Sequence, residues 1–157
     1  GHVAAVDKID FLARSLVDEL KIDYQIRDVE TDDLDFASQF DLILLTEIVE
    51  HFNFNIVPTM KKVRDLLKPN GQILLSTPDA DEWGRVYIYH KSWEAIPIYE
   101  GQRVDWIDGH VWQFTKSELK EIFHQCGLKL EKFAYSPGTN HRHLCFALAK
   151  DTGSAHP

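Results

Sequence analysis

Residues 40–51 read FDLILLTEIVEH, and this stretch decides the fold. Its first half, from Phe40 to Leu45, is apolar on both faces except at Asp41. Continuous apolar runs of this kind are typical of strands in parallel sheets that helices cover on both sides. The polar residues that follow therefore lie at the carboxyl end of a buried strand, which is where open sheets of this type bind ligands.

The sequence on the N-terminal side of this strand predicts a strand, a helix and a second strand. Residues 3–6 form a short apolar run that ends at Asp7, and apolar residues at helical spacing predict an amphipathic helix over 8–20. A second short strand over 24–27 ends at Asp28. The polar and acidic residues 29–39 predict a loop.

On the C-terminal side, a helix is predicted to begin near Pro58 and to stop at residues 68–71, with Gly71 supplying the turn. The next strand covers 72–76. Thr115 and Glu118 have the spacing of a capping box, which predicts a helix over 115–125. Residues 128–135 and 143–149 are joined by a short loop, so they must form an antiparallel hairpin.

This order predicts an α/β fold, with a mostly parallel sheet, helices on both faces and an antiparallel C-terminal strand. We expect a single domain over 1–150, interrupted by an irregular segment at 79–113, and a polar tail over 151–157.

Composition excludes several classes of protein. The 157 residues are 44% hydrophobic, enough for a packed core, and the formal net charge is −8. An acidic chain is a poor partner for duplex nucleic acid or an anionic membrane surface. No apolar run reaches the length of a membrane helix, and charges at residues 7–10 argue against a signal peptide. Together with two unpaired cysteines that read as packing residues, Cys126 and Cys145, this predicts a cytoplasmic protein.

Four stretches carry a resemblance to a known family: residues 3–7, 28–36, 40–51 and 66–78. Together they resemble, in the correct order, a class I S-adenosylmethionine-dependent methyltransferase. The resemblance implies a Rossmann-like methyltransferase fold with S-adenosylmethionine as cofactor. The family's first strand, with its glycine-rich turn, has no counterpart here, so the sheet is expected to lack that strand unless a longer protein or a partner chain supplies it; we favour the longer protein.

The resemblance also implies cofactor-binding residues. The Asp7 carboxylate would accept hydrogen bonds from both ribose hydroxyls, although the same residue could instead cap the helix that follows it. Asp28 and Val29 would contact the adenine, and Asp28 has the alternative role of a turn residue. Thr46 and Glu47 are also expected to bind the cofactor, at the end of the pocket near the methyl donor.

Glu47, Glu50 and His51 would share one face if the chain turned helical after Leu45. Two carboxylates placed there need a cation, either a protonated His51 or a divalent metal such as Mg²⁺. Small-RNA 2′-O-methyltransferases and ubiquinone-pathway O-methyltransferases carry a similar Glu-x-x-Glu-His and bind a metal, and His110 resembles a further histidine of the small-RNA enzymes. Many other relatives have Glu-His at this point without metal. His51 is the best-placed general base for a hydroxyl acceptor.

The irregular segment 79–113 holds all four tryptophans of the chain and several tyrosines. They are Trp83, Trp93, Trp106, Trp112, Tyr87, Tyr89 and Tyr99. A segment of this kind after a strand end predicts a lid or pocket wall for a flat or sugar-like acceptor. The alternatives are that the aromatic residues anchor a long loop to the domain or form a dimer contact. His141 and His143, by contrast, are interpreted as a solvated strand edge.

The sequence therefore predicts an enzyme that transfers a methyl group from S-adenosylmethionine to an oxygen, or less readily a nitrogen, of a small-molecule acceptor. One alternative is a methyltransferase-like binding module without activity, motivated by the absent glycine-rich turn. Another is a metal-dependent 2′-O-methyltransferase of RNA 3′ ends, which the acidic charge disfavours. A nicotinamide-dependent oxidoreductase would leave the Glu-His segment without a role.

Overall fold

The structure, a computed structural model, describes residues 1–36, 39–85, 89–103, 106–107, 109–136 and 141–153. The chain divides into two compact units, Gly1–Phe36 and Ala37–Pro157, which are described separately. The single domain over 1–150 stays a prediction. Three predicted features lie wholly or partly outside the described residues: Tyr87, the loop at 137–140 and the end of the tail at 154–157.

The first unit contains strand β1 (Ala4–Asp7), helix α1 (Arg14–Leu20) and strand β2 (Asp23–Ile26). The two strands pair in parallel, with Asp7 opposite Ile26, as the strand–helix–strand prediction requires. The predicted helix over 8–20 is too long, because its first six residues form a turn instead.

That turn is held by side chains on both strands. The Asp7 carboxylate accepts a hydrogen bond from the Ile9 amide, and the Tyr24 hydroxyl bonds to both the Ile9 carbonyl and the Phe11 amide. These bonds compete with the helical ladder at residues 8–11. The alternative role of Asp7 as the cap of a helix beginning at Lys8 is therefore wrong, since α1 begins at Arg14.

The second unit is built on a four-stranded sheet of β3 (Phe40–Thr46), β4 (Leu67–Pro78), β5 (Leu128–Ser136) and β6 (His143–Lys150). The strand order is β3-β4-β6-β5. Strands β3 and β4 pair in parallel, whereas β6 runs antiparallel to both β4 and β5. The prediction of a parallel sheet with a reversed C-terminal strand is confirmed.

Strand β4 begins five residues earlier than predicted, at Leu67, and residues 68–71 belong to it rather than to a turn. The register shifts between Phe40 and Leu42, so that Phe40 pairs with Leu67 while Leu42 pairs with Gln72. A Cβ at Gly71 would lie 2.7 Å from the Phe40 carbonyl oxygen. Glycine is needed here for close backbone approach within this irregularity, not for a helix stop.

The described residues of the second unit also form three α-helices: α2 (Ile56–Asp65), α3 (Ala80–Trp83) and α4 (Lys116–Gln125). Helix α2 is capped by the Asn55 side chain, and Pro58 lies within its first turn, where proline is tolerated. The predicted capping box at Thr115 and Glu118 is present. Short 3₁₀ turns cover Val49–His51 and Trp93–Ala95.

The core of this unit lies between the sheet and its helices. Its largest fully buried side chains are Ile56, Met60, Leu67, Ile73, Leu75, Trp112, Phe114, Leu119, Ile122, Phe123, Leu144 and Leu148. Cys126 is also buried, which raises the pKa of its thiol to about 11, and both cysteines are free, as expected of packing residues. No helix among the described residues is long and apolar enough to cross a membrane.

Candidate functional site

In the first unit, the predicted cofactor residues lie at the carboxyl ends of two paired strands. The Arg27 amide donates to the Asp7 carbonyl. Asp7 and the turn at Asp28 therefore lie side by side at the carboxyl edge of this two-stranded sheet. The Asp28 carboxylate accepts from the Glu30 amide, and Val29 is part of this turn. In each carboxylate one oxygen accepts a hydrogen bond from a nearby backbone amide. Because a carboxylate can accept several hydrogen bonds, both side chains can still accept from a ligand.

In the second unit, the chain after β3 forms a short 3₁₀ turn at Val49–His51 and no α-helix, so the predicted single helical face of Glu47, Glu50 and His51 is wrong. Glu47 instead has a positive φ of 55°, a backbone conformation that residues other than glycine rarely adopt. Its amide donates to the Ser76 carbonyl, and its carboxylate accepts from the Ser76 hydroxyl at 2.6 Å. Strained backbone held by such bonds concentrates at functional sites.

Glu50 points into the protein and is only 1% exposed. Its carboxylate accepts a hydrogen bond from the Thr77 hydroxyl at 2.9 Å, and its carbonyl accepts from the Val111 amide. Burial raises the pKa of this carboxyl. The charge of a buried carboxylate with so few hydrogen bonds is stabilised by a neighbouring proton donor or cation.

His51 and His110 come together beside Glu50, with their rings edge to face and centroids 4.8 Å apart. The His51 Nδ1 atom lies 3.0 Å from the Gly109 carbonyl, which can only accept, so Nδ1 is the donor in this hydrogen bond. Burial lowers the pKa of His110, which favours its neutral form.

In the described part of the chain, these three residues form the one group able to hold a metal ion, with ligand atoms all within 4.8 Å of one another. Glu47 is not a member of this group, although the sequence placed it in the same set. Its carboxylate turns to Ser76 and lies 3.2 Å from the Nε2 atom of His143.

His143 was interpreted as a solvated edge, but the structure brings it to the site. Because β6 is reversed, its first residue lies opposite Pro78, at the carboxyl end of β4. The Trp83 ring packs against both His143 and His110, with centroid distances of 5.5 and 6.3 Å. The predicted hairpin alone did not signal this, because it pairs β6 with β5 only; the pairing of β6 with β4 places its first residue where β4 ends.

The irregular segment 79–113 divides into buried and exposed aromatic residues. Trp93 and Trp112 are buried and anchor the segment, whereas Trp83, Trp106, Tyr89 and Tyr99 are substantially exposed. The segment is also held by backbone bonds to the 50–55 turn, including Val111 to Glu50 and Asn55 to Pro97. The segment is therefore held in place at these points, and its role as a lid or pocket wall stays a prediction.

A parallel pair of strands joined through a helix, and a sheet ending in a reversed strand with polar residues at its carboxyl edge, define the fold of class I S-adenosylmethionine-dependent methyltransferases. A family model described as a methyltransferase domain matches residues 3–132. The chain belongs to this methyltransferase family. No curated protein matches it.

Solved structures at low identity agree on the fold. The 1,6-didemethyltoxoflavin-N1-methyltransferase of Burkholderia thailandensis, with bound S-adenosylhomocysteine, is 18% identical with a TM-score of 0.69, over 95% of this chain and 61% of that one. A SAM-dependent methyltransferase of Leishmania major is 16% identical with a TM-score of 0.62, over 92% of this chain and 54% of that one. The N-methyltransferase NodS of Bradyrhizobium japonicum WM9, in complex with S-adenosylhomocysteine, is 11% identical with a TM-score of 0.61, over 95% and 66%.

The chain thus spans about three fifths of the length of the first of these structures and about half of the second.

Proposed function

We propose that this protein transfers a methyl group from S-adenosylmethionine to a hydroxyl oxygen of a small molecule. The methyl group of the cofactor is already activated by its sulfonium, so the protein has mainly to align the acceptor and remove its proton. The observation that carries the proposal is the 3.0 Å contact between the His51 Nδ1 atom and the Gly109 carbonyl. Because Nδ1 donates to the Gly109 carbonyl, Nε2 is free to accept the hydroxyl proton.

A nitrogen acceptor is the second candidate, since two of the similar structures are N-methyltransferases by name. An amine that is neutral at the working pH needs no base before it attacks. The position of His51 therefore favours oxygen. RNA 3′ ends are the least favoured acceptor, because the net charge of −8 opposes binding of a polyanion.

Cofactor binding is tested by calorimetric titration of S-adenosylhomocysteine. We expect Asp7→Asn to weaken binding by about tenfold to hundredfold, because a neutral amide replaces a charge-assisted acceptor for the ribose hydroxyls. The amide oxygen can still accept from the Ile9 amide, so the turn is kept. Asp10→Asn is the matched control, since Asp10 pairs on the surface with Arg14.

Equal affinities of the two variants would remove Asp7 from the cofactor site. If the wild-type protein itself does not bind S-adenosylhomocysteine, the alternative of a binding module without activity replaces the proposed function.

A metal-dependent form of the reaction is supported by the group of Glu50, His51 and His110. Two imidazole nitrogens and one buried carboxylate fit a divalent cation, which would offset the burial of the Glu50 charge and could hold an acceptor oxygen. This donor set differs from the predicted one, and imidazole nitrogens favour a first-row transition metal over Mg²⁺.

We expect Co²⁺ to bind the chain more tightly than Mg²⁺ and to develop the visible absorption of a coordinated ion. His110→Gln should weaken Co²⁺ binding by about tenfold or more, because it removes one ligand. The control is His124→Gln, an exposed histidine on α4. Equal Co²⁺ affinity of both variants would exclude His110 from a metal site and leave His51 as a metal-free base.

A further inference from the structure

Three aromatic rings form a platform next to the turn that carries His51. Phe54 is buried, at 2% exposed, and both Tyr99 and Trp106 pack against it, with ring centroids at 4.9 and 6.2 Å. We define the aromatic platform as Phe54, Tyr99 and Trp106. The rings of Tyr99 and Trp106 lie at 59° and 87° to Phe54, so neither is stacked flat upon it.

The two outer rings of the aromatic platform are held by the residues that flank Phe54. The Asn53 side chain accepts from the Ile107 amide at 2.8 Å, next to Trp106. On the other side, the Asn55 amide donates to the Pro97 carbonyl at 2.9 Å, two residues before Tyr99. The two halves of the platform are thus fixed to one short stretch of chain.

The turn that carries Tyr99 is closed further by Gln102. The Gln102 side chain donates to the Ile98 carbonyl at 2.7 Å and accepts from the Glu100 amide. Rings held in place in this way lose little conformational entropy when a ligand binds.

The aromatic platform is also tied to the proposed base. The Asn53 side chain donates to the His51 carbonyl at 3.2 Å, and Gly109, three residues after Trp106, bonds to the His51 ring. Asn53 therefore connects the backbone beside Trp106 to the backbone of His51. A ligand on the platform would therefore lie on a segment that is bonded to the turn carrying the proposed base.

Exposure separates the aromatic platform from the aromatic anchors of the same segment. Trp93 and Trp112 are 4% and 1% exposed, whereas Tyr99 and Trp106 are 37% and 48% exposed. Rings whose only role is to anchor the segment have no reason to keep so much apolar surface in water. Large rings with a polar atom, exposed and preorganised, are typical of binding sites for flat ligands.

We infer that the aromatic platform binds the methyl acceptor, and that this acceptor is a planar aromatic compound carrying a hydroxyl group. The inference rests on the proposed function for the hydroxyl, because the His51 base needs a proton to remove. The planar ring follows from the platform alone. Stacking and edge contacts with aromatic rings favour a flat π-system over a saturated ring of equal size.

The test compares naphthol with decahydronaphthol, its saturated counterpart, by calorimetry in the presence of S-adenosylhomocysteine. We expect naphthol to bind at least about tenfold more tightly. Trp106→Leu and Tyr99→Leu should each weaken naphthol binding by about three- to tenfold and leave decahydronaphthol unchanged, because leucine keeps apolar area but has no π-face. Trp106→Phe should retain most of the affinity.

Tyr89→Leu is the matched control, since Tyr89 is equally exposed in the same segment and has no ring contact with Phe54 among the described residues. Equal affinity for the two probes, or leucine variants that bind naphthol like the wild type, would overturn the inference. A folding defect would appear as a lost far-UV signal, and Trp106→Phe then decides.

Failure of the proposed function is recognised separately. If the wild-type protein binds naphthol but not S-adenosylhomocysteine, the aromatic platform is supported as a binding site and the proposed methyl transfer is contradicted. If it binds S-adenosylhomocysteine but not naphthol, only the platform is contradicted.

Discussion

Replacing His51 with asparagine is expected to lower the rate of methyl transfer to a hydroxyl acceptor by about 10² to 10⁴, the usual contribution of a positioned general base. Asparagine keeps a donor near the Nδ1 position, so the bond to the Gly109 carbonyl can persist. It has no basic nitrogen at the position of Nε2. The loss should therefore fall on proton removal rather than on the shape of the site.

The measurement is the rate of S-adenosylhomocysteine formation with a hydroxyl acceptor that the wild-type protein methylates. The affinity for S-adenosylhomocysteine should be unchanged, and His124→Asn should behave as wild type. With an acceptor acidic enough to be ionised at the assay pH, the substitution should lower the rate far less, because an ionised acceptor needs no base. If both kinds of acceptor lose activity equally, His51 has a role in positioning and not in proton transfer.

The second large effect concerns stability and the clamp between β6 and α3. The Asp79 side chain is 1% exposed, and its carboxylate accepts a hydrogen bond from the guanidinium Nε of Arg142. The same guanidinium also pairs with Glu82 at 3.3 Å. The Arg142 carbonyl accepts from the Asp79 amide and from the Trp83 indole. These contacts of Arg142 with Asp79, Glu82 and Trp83 are called the clamp. It fixes the start of β6, whose first residue is His143, against α3, which carries Trp83.

We expect Arg142→Leu to lower the free energy of unfolding clearly, because removal of one partner leaves the buried Asp79 carboxylate without its cation. The loss comes from the carboxylate and not from the guanidinium, since Asp79 is 1% exposed whereas Arg142 is 34% exposed. Urea denaturation followed by circular dichroism measures it.

Lys68→Leu provides the control for this prediction. Lys68 pairs with Asp41 at 2.7 Å on the surface, where such a pair contributes about 0 to 1 kcal/mol. The double variant Asp79→Asn with Arg142→Leu should recover part of the loss, because the buried charge is gone. An Arg142→Leu protein as stable as Lys68→Leu would contradict the clamp.

Much of the fold follows from local sequence. The apolar run from Phe40 to Leu45, the capping box at Thr115 and the hairpin at the C-terminus each have a strong local signal, and all three are present. Boundaries were less accurate where side chains compete with the backbone. Tyr24 prevents a helix at residues 8–11, and the close approach of Phe40 to Gly71 extends β4 backwards.

The site was predictable in its residue types but not in its pairing. Glu50, His51 and His110 do meet, although from a 3₁₀ turn rather than a helix. Nothing in the residue type of Glu47 signals a positive φ. That conformation depends on bonds to Ser76, a residue on the neighbouring strand, and it turns the carboxylate to His143.

The sequence by itself determined the order of strands and helices, the reversed last strand and the edge at which the polar residues gather, because periodicity and capping are local properties of the chain. The tertiary structure decided which carboxylate is buried against Thr77, which faces His143, and which aromatic rings remain exposed around Phe54. These choices depend on strand register and on contacts between residues far apart in sequence, so no local pattern encodes them.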